Sequence, residues 1–107
     1  MTLITNNKLK CSLALVVLQQ VNDPEIGLNV VDLGLIYQLD FDETEGKIFV
    51  QMTLTTRFCP MGESIVDSVI SVLQTNFPGH NVTVDLTFDP VWKAERISEE
   101  GKRFLNQ

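Results

Sequence analysis

The apolar positions along the chain change period several times, and each change marks an element. Leu9, Leu13, Val16, Val17 and Val21 recur at helical spacing and predict one buried stripe on a first helix. Asn6 or Asn7 can cap it. Asn22-Asp23-Pro24 stops it near Val21, because the residue before a proline avoids helical angles. Gly27 and Gly34 bracket an irregular segment. A strand is expected over 35–42 and a second over 47–55, where the period falls to two. Ile48, Val50, Met52 and Leu54 share one face of the second strand, and Phe49, Gln51, Thr53 and Thr55 share the other. The acidic turn at 42–46 joins the two strands as an antiparallel hairpin.

Helical spacing returns over 61–77, with Ile65, Val69, Val72, Leu73 and Asn76 along one side, and Pro78-Gly79 ends it. A third strand over 81–88 should bury Val82, Val84, Leu86 and Phe88 and expose Thr83, Asp85 and Thr87. After the break at Asp89-Pro90, Ser98 can cap a short last helix. Its first turn holds Glu99 and Glu100 and its end Lys102 and Arg103, matching the helix dipole. The order α-β-β-α-β-α predicts a single α+β two-layer domain over 1–107. Its small mixed three-stranded sheet carries helices on one face.

Composition narrows the function. A chain of 107 residues supports one core. With 44% hydrophobic and 21% charged residues it is not a disordered chain. Fourteen acidic against eight basic residues give a net charge of −6, which excludes a general nucleic-acid binder. Two cysteines exclude a disulfide scaffold. Even with the one histidine they cannot close a four-ligand zinc or iron–sulfur site within one chain. The apolar run at 11–18 is too short to span a membrane, and no small-residue cleavage site follows it. The expectation is a soluble, cytosolic chain with reduced thiols. No P-loop, GxGxxG, GxSxG or CxxC motif occurs, so the chain is poorly equipped as a stand-alone enzyme.

Cys59 carries the most chemistry. It precedes Pro60, a residue favoured at the first position of a helix, so the thiol falls near the start of the second helix. Free backbone N–H groups and the helix dipole favour an anion there, and Arg57 adds positive charge. Such a setting makes a thiolate that is nucleophilic or binds metal, and the alternative is a small cysteine closing a strand–helix joint. Thr53 and Thr55 either line a polar pocket ahead of the thiol or are the β-branched residues that strands favour. Asp23, Glu25 and Asp32 can bind a hard cation, act as acid–base groups or cap backbone N–H groups. Trp92 either seals the core edge or anchors a partner. Cys11 reads as a packed or half-exposed thiol, and His80, in a turn, has no catalytic role.

Together, DPEIGLNVVDLGLIY (23–37), MTLTTRFCP (52–60) and FDPVWKAERISEEGKRFL (88–105) resemble the MIP18-like, or DUF59, family. That family includes SufT-type iron–sulfur maturation factors and the PaaD-type subunit of phenylacetate degradation. The resemblance implies an iron–sulfur-cluster-assembly-like α+β fold and a role in maturing iron–sulfur proteins rather than in turning over a metabolite. The family's motif positions fall on Asp23, Glu25 and Asp32, on Thr53, Thr55, Thr56 and Cys59, and on Asp89, Pro90, Trp92, Arg96 and Ser98. Cys59 matches the family's reactive cysteine. Where members often carry small or turn-forming residues before that cysteine, this chain has Arg57 and Phe58, and a bulky Phe58 either shields the thiol or offers a docking surface. The cysteine-rich tail of PaaD-type proteins is absent, which favours the maturation reading.

The resemblance therefore implies a non-enzymatic accessory factor with Cys59 as a metal or cluster ligand and with no tightly bound cofactor, iron or a cluster being held only in transit. Its partners would be the assembly machinery, client apo-proteins and a second copy in a homodimer, but neither nucleic acid nor membrane. The alternative is a protein-interaction module, or a PaaD-like subunit that assists maturation of a metallo-oxygenase.

Overall fold

A computed structural model describes residues 3–57 and 61–106. The elements follow the expected order: α1 (Lys8–Leu18), β1 (Ile36–Asp42), β2 (Lys47–Met52), α2 (Gly62–Asn76), β3 (Asn81–Leu86) and α3 (Glu99–Leu105), with a 3-10 turn at Ala94–Arg96 before α3. The sheet runs β1-β2-β3. β1 and β2 form the antiparallel hairpin, and β3 returns parallel to β2 after the α2 crossover. α1 packs on β1 and α2, and α2 packs on β3.

The buried face of β2 is the predicted one, with Ile48, Val50 and Met52 inside, but the strand ends at Met52 rather than near 55, and the buried Leu54 lies just beyond it. Ile65, Val69 and Leu73 of α2 close over that face. The opposite sheet face carries the half-buried Phe49 among polar residues, and Gln51 donates to Asp85 across β2 and β3 at 3.2 Å. A register shift between Ile36 and Gln38 puts an extra residue into β1. Leu35, Ile36 and Tyr37 are consequently all buried, breaking the alternation of the strand.

The first helix departs from expectation. It ends at Leu18, and its cap is Asn7, whose side chain accepts from Lys10 N. The helix turns Cys11, Ala14 and Leu18 inward. Of the predicted core stripe, Val21 is buried and Val17 packs against the core, but Leu9, Leu13 and Val16 stand 73%, 52% and 64% exposed. Apolar residues surround most of the helix, so spacing alone permits more than one buried face. Packing selects the face whose small side chains, Cys11 and Ala14, let the backbone approach its neighbours closely. β3 also differs, since it is an edge strand that ends at Leu86. Val82, Val84 and Phe88 are half-buried, and Leu86 is 42% exposed.

Near the far end of the hairpin, Lys10 Nζ bonds the Glu43 carboxylate and holds its carboxyl below the usual range. The other Glu43 oxygen lies 3.4 Å from His80 Nε2. The His80 ring stands edge-on to Phe41 and Phe77. His80 thus closes this end of the core.

The residues after β3 fold back over the irregular 23–35 segment and tie to it repeatedly. Tyr37 donates through its hydroxyl to Pro90 O at 2.8 Å, and Trp92 Nε1 donates to Leu33 O at 2.6 Å. Arg96 Nε donates to Gly34 O at 3.0 Å, with its guanidinium 4.0 Å from the Tyr37 ring centroid. Ser98 caps α3 by accepting from Gly101 N, as its sequence position predicts. Gly101 is buried, and a Cβ there would lie 2.9 Å from both Leu28 and Ile97.

Candidate functional site

The chain between β2 and α2 leaves the core in steps. Thr53 is fully buried and its N–H donates to Leu35 O at 2.9 Å. Leu54 is buried, Thr55 is half-buried, and Thr56 and Arg57 are exposed. Thr87 N donates to Met52 O at 2.8 Å, holding the neighbouring strand against the same exit. Phe58, Cys59 and Pro60 lie outside the described residues, including the expected thiolate and the Phe58 surface beside it.

α2 begins on the far side of this segment. No side-chain hydrogen bond caps it at Met61. Its first-turn N–H groups are therefore not satisfied by the capping residue, and they carry the positive end of a 15-residue helix. Glu63 in the first turn complements that end. Gly62 is buried against Leu54, where a Cβ would come within 2.7 Å of Cδ1. That close approach seats the start of the helix on the sheet.

Between the start of α2 and the end of β3 lies a cleft of about 570 Å³, walled by Leu54, Val66, Leu86 and Phe88 and rimmed by Arg57, Glu63 and Asp67. The Arg57 guanidinium lies 4.8 Å from the Phe88 ring centroid. Arg57, ahead of residues 58–60, and Gly62, after them, both line this cleft. Sequence reading had no place for Glu63, Asp67 or Leu86 here. The signal was available in the one-turn spacing of the two carboxylates just past the cysteine motif.

The acidic residues of the first motif sit elsewhere, in the folded-back region. Asp23 is 1% exposed, and its carboxylate accepts from Glu25 N at 2.9 Å. The Asp23 carbonyl accepts from Gly27 N at 2.7 Å, so the residue builds the turn. Glu25 is exposed. Asp32 accepts Ser98 Oγ on one oxygen and Asn29 Nδ2 on the other, each at 2.7 Å. Neither these three nor Thr53, Thr55 and Thr56 line the α2–β3 cleft. Trp92 packs on the core edge and spends its N–H on Leu33, and Arg96 is held against Gly34 and Tyr37. Among the described residues, no three His, Cys, Asp or Glu side chains gather to hold a metal ion. Nor, among them, is any helix long and apolar enough to cross a membrane.

Cys11 is 4% exposed on the core side of α1, and burial pushes its thiol pKa up. A raised pKa leaves less thiolate at any given pH. In a Cys59→Ala chain, Cys11 is expected to react with iodoacetamide at mildly alkaline pH at least roughly tenfold more slowly than an unfolded cysteine. Urea should abolish the difference, and equal rates in folded and unfolded protein would contradict it.

Residues 14–86 match the family described as iron-sulfur cluster assembly protein, a match that stops ahead of the 88–105 segment. An Fe-S protein maturation auxiliary factor of Porphyromonas gingivalis is 42% identical over 84 residues, covering 78% of this chain and 79% of that protein. The Fe-S protein maturation auxiliary factor SufT of Staphylococcus aureus is 39% identical over 82 residues, covering 77% of this chain and 92% of that one. A crystal structure of a DUF59 domain from Bacillus anthracis superposes with a TM-score of 0.83 at 36% identity, covering 89% of this chain and 90% of that one. Sequence and fold agree, and the chain belongs to the DUF59 family of iron–sulfur cluster assembly proteins.

Proposed function

We propose that this chain is a non-enzymatic accessory factor that helps to assemble iron–sulfur clusters or deliver them to client apo-proteins in the cytosol, and that Cys59 is the thiolate that meets the iron or cluster. The observation that carries the reading is the kinship with proteins named as Fe-S protein maturation auxiliary factors, over more than three quarters of the chain. The position of Cys59 in the sequence, between a cationic Arg57 and the start of a long helix, supports an ionised thiol.

One thiolate cannot complete a cluster, which is usually held by four. The cluster is therefore cargo, shared with a client or bridged between two copies about a two-fold axis. Trp92 contributes to the domain's own packing, which favours the maturation reading over one in which that side chain anchors a partner.

Anaerobic reconstitution with ferrous iron and sulfide tests the ligand role. The wild-type chain is expected to take up iron and develop sulfide-to-iron charge-transfer absorption, and Cys59→Ala to lose most of both. Equal iron and identical spectra in the two proteins would remove the thiolate from the mechanism.

A further inference from the structure

We propose that the cleft between α2 and the end of β3 seats an extended segment of the client protein that presents an apolar side chain beside a basic one. The inference rests on the proposed delivery role and adds the chemistry by which a client is recognised.

Three features of the cleft converge on that occupant. Its walls are apolar, and Leu86 at its lip is 42% exposed, so a seated side chain removes hydrophobic surface from water on both partners. Its rim is acidic. Glu63 and Asp67 stand one turn apart on α2, and neither forms an ion pair among the described residues. Two carboxylates at that spacing repel each other, and a cation placed between them relieves the repulsion. Arg57, on the same rim, forms no ion pair with either carboxylate among the described residues, and its guanidinium lies over the Phe88 ring. Thirdly, among the described residues β3 is paired on one side only, so its outer edge offers backbone donors and acceptors to an extended chain running toward the cleft.

A second copy of this chain suits the cleft less well. It carries the same net charge of −6, and pairing two β3 edges would bring Asp85 of each copy onto one ribbon. A basic partner surface is instead drawn in by the same charge.

Titration of the isotope-labelled full chain by NMR tests the idea with a defined probe, the end-capped pentapeptide Ser-Lys-Leu-Lys-Ser. Amide shifts are expected to cluster at Leu54, Gly62, Val66 and Leu86. The charge-reversed peptide Ser-Glu-Leu-Glu-Ser and the truncated Ser-Lys-Gly-Lys-Ser should each bind roughly tenfold more weakly or not at all. The double substitution Glu63→Gln with Asp67→Asn should weaken the first peptide by a similar factor, and both sites are exposed, so the fold is kept.

No cleft shifts up to about 10 mM peptide, shifts on another face, or unchanged binding to the double variant would overturn the proposal. So would the same shifts arising from the chain's own concentration, which would make a second copy the occupant. The titration contains no iron, so its failure leaves the delivery role standing. Loss of the Cys59 role would equally leave the cleft result intact.

Discussion

Replacing Gly34 with alanine is expected to lower the thermal midpoint by roughly 10–20 °C, corresponding to about 3 kcal/mol. Gly34 sits at φ +76°, where an L side chain costs about 1–2 kcal/mol. The added Cβ would also lie 2.4 Å from Arg96 O and 2.7 Å from Arg96 Cβ, so the backbone of the folded-back segment must move. Moving it strains the bond from Arg96 to Gly34 O and those flanking it, from Trp92 to Leu33 and from Ser98 to Asp32. Gly27 is the internal control. It has φ +81° but nothing within 4 Å of a built Cβ, so Gly27→Ala should lose only the conformational cost of about 1–2 kcal/mol. Equal losses in the two variants would show that the close approach at Gly34 contributes nothing.

Leu18→Ala should cost about 2–5 kcal/mol, whereas Leu13→Ala on the same helix should cost less than about 1 kcal/mol. Leu18 is fully buried, so truncation removes transfer free energy and leaves a cavity. Leu13 is 52% exposed and faces away from the core side of α1, so its methyl groups lose little on removal. Chemical denaturation of the two variants measures the contrast. Comparable losses would mean that the helix buries the face its spacing predicts rather than the one bearing Cys11, Ala14 and Leu18.

That contrast marks where the sequence could be read and where it could not. Strict alternation made β2 legible, because only one register buries Ile48, Val50 and Met52. Ser98 was legible because capping is local, decided by a hydroxyl and an N–H three residues on. The buried face of α1 was not, because Leu, Val, Ala and Cys are distributed around the helix and only the shape of its neighbours chooses among them. The edge position of β3 was equally hidden, since strand order is a property of the sheet, and the edge is what leaves Leu86 open.

At the site, the long-range ties explain the difference. Asp32 meets Ser98 across 66 residues and Trp92 meets Leu33 across 59, separations at which no local pattern reports a contact. Acidic and aromatic motif residues that read as chemistry therefore include several that hold the domain together. Asp23, Asp32 and Trp92 spend their polar atoms on backbone or on each other's segments. The cleft needed the structure as well, because Leu54 follows β2, Val66 lies on α2 and Leu86 ends β3, far apart in the chain.

A maturation role carried by Cys59 is tested most directly by rescue in living cells. Cells deleted for this chain are complemented with wild type, Cys11→Ala or Cys59→Ala, each verified to be folded and equally abundant, and the activity of iron–sulfur enzymes is assayed against that of enzymes lacking clusters. Wild type and Cys11→Ala are predicted to restore the iron–sulfur enzymes, and Cys59→Ala to leave them deficient while the other enzymes are unaffected. Full restoration by Cys59→Ala would contradict the account.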